Sequence, residues 1–184
     1  MSKLLFSRGF TMIELMVTIS IGALLVTFGV PMMSNLIEGN TISGHVNNFV
    51  GTINLARSEA LKRGVQVVVC RSDNPDADLP TCAASGTGWQ SGWIAFADRN
   101  GNEQMDTASS GDVLLRVQGA MTDTGGIVQD NFSKLTFRPT GLMKAGASIF
   151  TFNSRSQNSA RLRRVCTKLS GRTQLMDNST ETCD

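Results

Sequence analysis

Apolar positions divide the chain into stretches of different character. From Leu15 to Ile37 about 23 residues pass without a formal charge, enough for one helical span of a bilayer. Downstream the pattern becomes periodic. Ile42, Val46, Phe49, Val50, Ile53, Ala56, Ala60 and Leu61 recur at three- and four-residue steps, the stripe on which a globular head packs. Lys62 and Arg63 suit a last helical turn, and Gly64 suits a left-handed cap. A continuous helix from Phe10 to Arg63 would run about 80 Å. Pro31 removes one of its hydrogen bonds and should bend or loosen it there, and five glycines (Gly22, Gly29, Gly39, Gly44, Gly51) lower its intrinsic helicity.

Beyond Gly64 the pattern shortens. Strand candidates lie at 65–70, 89–96, 113–118, 135–137, 149–153, 162–169 and 173–176, with an Asp/Pro/Gly/Ser-rich loop at 73–87 and a turn at 98–102. The expected class is α+β: a long N-terminal helix, its first half transmembrane, packed on an antiparallel β-sheet head. The expected organisation is a leader at 1–9, a membrane or filament-core segment at 10–37, an amphipathic helical segment at 38–64, and a β-rich head at 65–184.

The start of the helix is unusual for an export signal. A secretory signal peptide places its small residues and cleavage site after the apolar core. Here Lys3 and Arg8 precede a Gly9-Phe10 junction that lies before the core. A cut at that junction leaves the apolar helix on the mature chain with Phe10 at its end. Glu14 is costly within the edge of a bilayer, by a few kcal/mol on insertion scales, so it calls for a partner. The plainer reading places it at the interface, favoured by the positive end of the helix dipole.

Gly9, Phe10, Glu14, the apolar run and Pro31 together resemble the class III signal of type IV prepilins and type II secretion pseudopilins. The resemblance implies that a prepilin peptidase cuts after Gly9 and methylates the amine of Phe10. It also implies that Glu14 pairs with that amine on a neighbouring subunit and sets assembly register, and that Pro31 kinks the helix. Ala56-Arg57-Ser58-Glu59-Ala60, Gly92-Trp93-Ile94-Ala95-Phe96-Ala97-Asp98, Phe137-Arg138-Pro139-Thr140-Gly141 and Gly171-Arg172 resemble segments of the GspH/FimT group of pilin-like proteins. The implied fold is pilin-like. The implied role is that of a minor pilin in type IV pilus assembly or its tip complex, and the implied partners are major and minor pilins, the prepilin peptidase and the inner membrane. Such a subunit sits as a single-pass inner-membrane protein with its head in the periplasm, then in an extracellular pilus. An H-type minor pseudopilin of type II secretion shares every N-terminal feature and is the structural alternative.

Composition adds two points. Net charge is only +2, but Arg155, Arg161, Arg163, Arg164, Lys168 and Arg172 fall between Thr151 and Met176 with no acidic residue among them. A one-signed stretch is the footprint of a double-stranded DNA surface. Strand alternation argues against it by sending Arg161 and Arg163 to one face and Arg164 to the other. DNA-binding FimT-like proteins of natural transformation carry Gly-Arg-x-Arg, whereas Gly171-Arg172-Thr173-Gln174 lacks the second arginine. The second point concerns Cys70, Cys82, Cys166 and Cys183, which are too scattered for zinc and suit two disulfides in an oxidising compartment. Cys82 is expected to close its loop onto Cys70, although four cysteines permit three connectivities.

No catalytic constellation is expected. His45 is the single histidine, on the helix among polar neighbours, and no phosphate-loop, zinc-protease or nucleophile-elbow pattern occurs. Asp98, Asn100, Asn102, Gln104 and Asp106 alternate as a calcium loop would, but Glu103 replaces the glycine and Ser109 the final glutamate, so a turn with Asn-Gly at its tip is simpler. Trp89, Trp93 and Phe96 suit core positions better than ligand stacking. The expectation is a non-enzymatic protein without cofactor or metal.

Overall fold

The computed structural model describes residues 9–84, 88–106, 111–130, 133–176 and 182–183; at 29–32 and 35 it describes the backbone path alone. One helix, α1, runs from Met12 to Arg63. Two compact units divide within it, Met1–Glu38 and Gly39–Asp184. The helix is continuous through residue 31, and the side chain of Pro31, with the kink expected of it, lies outside the described residues. At its other end Gly64 stops it as expected: its φ is +66° and its N–H donates to the Ala60 carbonyl at 3.0 Å.

Eight strands follow: β1 (Gln66–Arg71), β2 (Trp93–Asp98), β3 (Val113–Gln118), β4 (Ile127–Gln129), β5 (Lys134–Phe137), β6 (Ser148–Phe152), β7 (Arg163–Thr167) and β8 (Thr173–Met176). They form two antiparallel four-stranded sheets, ordered β3-β2-β1-β5 and β4-β6-β7-β8. Sequence patterning identifies seven of them. It misses β4, a three-residue strand after Gly125-Gly126, and starts β2 too early. Trp89–Ser91 is a short 3-10 turn, closed by Gly92 N–H donating to the Trp89 carbonyl at 3.1 Å.

Both sheets pack on the second half of α1. Ile42, Val46, Phe49, Ile53, Ala56 and Ala60 are buried at alternating four- and three-residue steps. Leu61, expected in the same stripe, lies beside it and is 53 % exposed. Phe49 is the hub. Its ring lies 5.8 Å from Trp89, 5.5 Å from Trp93, 4.4 Å from Phe150 and 5.6 Å from Phe152, mostly edge-on. The indoles stay in the core because their N–H groups find acceptors: Trp93 donates to Thr52 Oγ1 at 3.1 Å and Trp89 to Gln129 Oε1 at 3.0 Å. Both tryptophans are therefore core residues.

β1 and β2 are buried on both faces, which explains their unbroken apolar runs. Val67, Val69, Trp93, Ala95 and Ala97 face the main core; Val68, Cys70, Ile94 and Phe96 form a second, smaller one with Met105. The disulfides are Cys70–Cys82 and Cys166–Cys183, which selects one of the three connectivities.

Candidate functional site

The helix start carries a local capping device. Thr11 is its N-cap and Glu14 is the third residue in. Glu14 Oε2 accepts from the Thr11 N–H at 3.0 Å and from Thr11 Oγ1 at 3.1 Å, while the Glu14 N–H donates to Thr11 Oγ1 at 3.3 Å. This is a reciprocal capping box, whose sequence signature is Thr-x-x-Glu before an apolar run. Phe10 precedes it and is 78 % exposed. The described carboxylate is thus engaged within its own chain.

Beyond the cap the apolar side chains point in every direction. Met12, Ile13, Leu15, Met16, Val17, Ile19, Ile21, Leu24, Leu25, Val26 and Phe28 are all exposed. A helix apolar on all faces calls for burial in lipid or among other helices. Among the described residues no helix is long and apolar enough to cross a membrane. Side chains are described without a break only up to residue 28, so 17 helical positions from Met12 rise about 25 Å, against a hydrocarbon core of about 30 Å.

The basic stretch of the head is spread over two faces and two ends of one strand. Arg161 belongs to a 3-10 turn at Ser159–Arg161, outside the strand that was expected to begin at 162. On β7 Arg163 shares a face with the buried Val165, and Arg164 points the other way with Cys166. Lys168 and Arg172 frame the β7–β8 turn, where the Lys168 N–H donates to the Arg172 carbonyl at 2.8 Å. Arg163 and Lys168 therefore stand at opposite ends of β7, roughly 16 Å apart at the rise of an extended strand.

That turn brings the head motifs together. Gly171 has φ +73°, and a Cβ there would lie 2.5 Å from the Gly141 carbonyl oxygen, 3.1 Å from Arg57 Cδ and 3.2 Å from a Phe137 ring carbon. Only glycine admits so close an approach. The Arg138 N–H donates to the Leu142 carbonyl at 2.8 Å, closing one turn, and the Met143 N–H donates to the Leu169 carbonyl at 2.9 Å, holding that turn beside the other. Segments 56–60, 137–141 and 171–172, far apart in sequence, meet at one junction. Arg138 and Arg172 are exposed on its surface.

The other candidates have structural partners. Asp98, buried, accepts from the Gly101 and Glu103 N–H groups at 2.7 and 2.8 Å and from Gln66 Nε2 at 2.9 Å; Asp112 accepts from the Arg99 and Asp106 N–H groups at 2.9 and 3.3 Å. These oxygens brace a long loop between β2 and β3, not the tight Asn-Gly turn expected. Among the described residues no cluster of His, Cys, Asp or Glu could hold a metal ion. Glu103 receives Lys134 at 2.6 Å and Lys144 at 2.8 Å beside a cleft of about 400 Å³ lined by Cys70, Cys82 and Met105. Burial raises the Glu103 pKa, but the two ammonium groups outweigh it and hold the carboxyl below its usual range. His45 is not freely solvated: its Nε2 lies 3.0 Å from Asp123 Oδ1.

The family described as Type II transport protein GspH matches residues 45–171, more than half of the chain, and the Prokaryotic N-terminal methylation motif matches residues 6–30. Among solved structures, the type IV minor pilin FimU of Pseudomonas aeruginosa PAO1 shares the fold in two crystal forms. One has a TM-score of 0.54 at 16 % identity, covering 79 % of this chain and 96 % of FimU; the other has 0.51 at 17 %, covering 79 % and 99 %. No curated protein sequence matches.

Proposed function

The chain belongs to the GspH family, and from that premise we propose that it is a minor pilin: a low-abundance, non-enzymatic subunit that helps assemble a type IV pilus or its tip complex. The observation that carries this reading is the methylation motif at 6–30 placed on a helix whose first turns expose apolar side chains on every face. In this proposal a prepilin peptidase cuts between Gly9 and Phe10 and methylates Phe10. The helix is held in the inner membrane by the segment at 10–37, then packs among other pilins in the filament. Glu14 exchanges its Thr11 bonds for the amine of Phe10 on a neighbour, removing two desolvation penalties together.

Mass spectrometry of the mature protein tests the first step: the expected N-terminus is a methylated Phe10, and a chain still carrying Met1 or Gly9 refutes it. Immunogold labelling of sheared pili tests the second, with Glu14→Ala expected to lower incorporation. The family description favours one alternative, the H-type minor pseudopilin of type II secretion, and deletion separates the two: lost piliation against lost secretion. Binding of double-stranded DNA for transformation has less support, because the basic residues are split between two faces and two ends of β7.

A further inference from the structure

We infer that the junction of segments 56–60, 137–141 and 168–172 is a docking face for the head of a different subunit, held through a segment that bears carboxylates and an apolar side chain. The inference rests on the family reading above, a low-abundance subunit among others, and applies to a pilus or a secretion assembly alike.

Four cations gather where the two turns touch. The Gly141 N–H donates to the Arg138 carbonyl and the Gly171 N–H to the Lys168 carbonyl, each at 2.8 Å, and Arg57 Cδ reaches the glycine that precedes Arg172. Among the described residues no acidic side chain pairs with Arg57, Arg138, Lys168 or Arg172. Glu59, the acid nearest Arg57 along the helix, is taken by Lys62 and Arg63. Arg57 Nε is buried with no hydrogen-bond acceptor. Guanidinium groups left without an acid are fork-shaped binders of carboxylate.

Apolar side chains stand among these charges. Leu61, one helical turn from Arg57, lies over the backbone of Gly141, where an added Cβ would be 3.1 Å from Leu61 Cγ. Leu142 follows one turn and Leu169 lies within the other. The three leucines are 53 %, 46 % and 53 % exposed. Apolar ground ringed by charge is the anatomy of a protein interface. A phosphate backbone would use the arginines and leave the leucines bare.

The chain has acids of its own at Asp73, Asp76 and Asp78, but strand register keeps them away from the junction. Val67 pairs with Phe137 and Cys70 with Lys134, so the loop after β1 and the turn after β5 leave from opposite ends of the sheet. A second copy would meet the junction with that loop and offer the same junction again, a contact that repeats without closing. A subunit present in few copies needs a contact that stops at one neighbour. That neighbour is a different chain.

Zero-length carbodiimide cross-linking tests this in cell envelopes, where the full chain meets its natural neighbours. The reagent joins an ammonium to a carboxylate in contact and leaves arginines alone. The expected product joins Lys168 to an aspartate or glutamate of a different chain that has its own N-terminal methylation motif, and high salt suppresses it. Arg138→Glu/Arg172→Glu should lower its yield roughly tenfold or more, as should lysines in place of the partner's carboxylates. Combining the two changes should restore a link between the same segments, a rescue that misfolded chains cannot give. No product at low salt, a product joining Lys168 to Asp76 or Asp78, or a yield indifferent to the charge reversals overturns the inference. So does an arginine variant that keeps the cross-link and loses only affinity for double-stranded DNA. Sheared pili from the same cells report on the pilus separately. The cross-link without the chain in the pili refutes the pilus alone, and the chain in the pili without the cross-link refutes the docking face alone.

Discussion

The two halves of α1 obey opposite rules. From Met12 to Phe28 apolar side chains cover the whole circumference and stay exposed; from Ile42 to Ala60 the buried ones keep to a stripe that two sheets cover. One backbone geometry thus serves two environments, and the side-chain pattern alone decides which. The second half draws its stability from its own chain. The first has no such cover and needs one from outside.

The sharpest way to break that contrast is a pair of truncations. Phe49→Ala should cost about 3–5 kcal/mol, since it empties the centre of the aromatic cluster, whereas Leu25→Ala should stay within about 0.5 kcal/mol for the isolated chain. Equal urea midpoints for the two would end the distinction. Next in size, Cys166→Ser/Cys183→Ser should lose about 2–4 kcal/mol, read as a lower melting temperature. Gly171→Ala comes third, at about 1–3 kcal/mol, because it forces a left-handed backbone and a close approach to the Gly141 carbonyl.

The smallest effect is acid sensitivity at Glu103. Its folded pKa is lowered, so its contribution is complete above the unfolded carboxylate range and is lost as pH falls through the folded value. Glu103→Gln should flatten that limb of the stability–pH curve. An unchanged acid limb would mean that Lys134 and Lys144 do not hold the charge.

What was legible in the sequence was local or periodic. The stripe through Phe49, the cap at Gly64 and the bounds of β3 and β8 follow from spacing within a few residues. β4 escaped because three residues hold too little alternation to register, and Trp89 was drawn into β2 because an aromatic in a 3-10 turn looks like one in a strand. His45 looked solvated because its partner, Asp123, lies 78 positions away. The junction shares that difficulty. Its segments could each be picked out, but their meeting is set by which strands pair, and Gly171 shows the contact only once Gly141 stands against it.

The order of strands also dictates how the head must be made. β4 belongs to the second sheet, β5 to the first and β6 to the second again, so the chain crosses between layers before either is finished. The β1–β5 pairing that completes the first layer joins positions as far apart as Val67 and Phe137, a long-range contact that slows the search for the native state, whereas β7 and β8 complete the second locally. During synthesis the head stays unfinished until β8 emerges. A ribosome stalled shortly before that point would release an open-edged, aggregation-prone chain instead of a smaller working one.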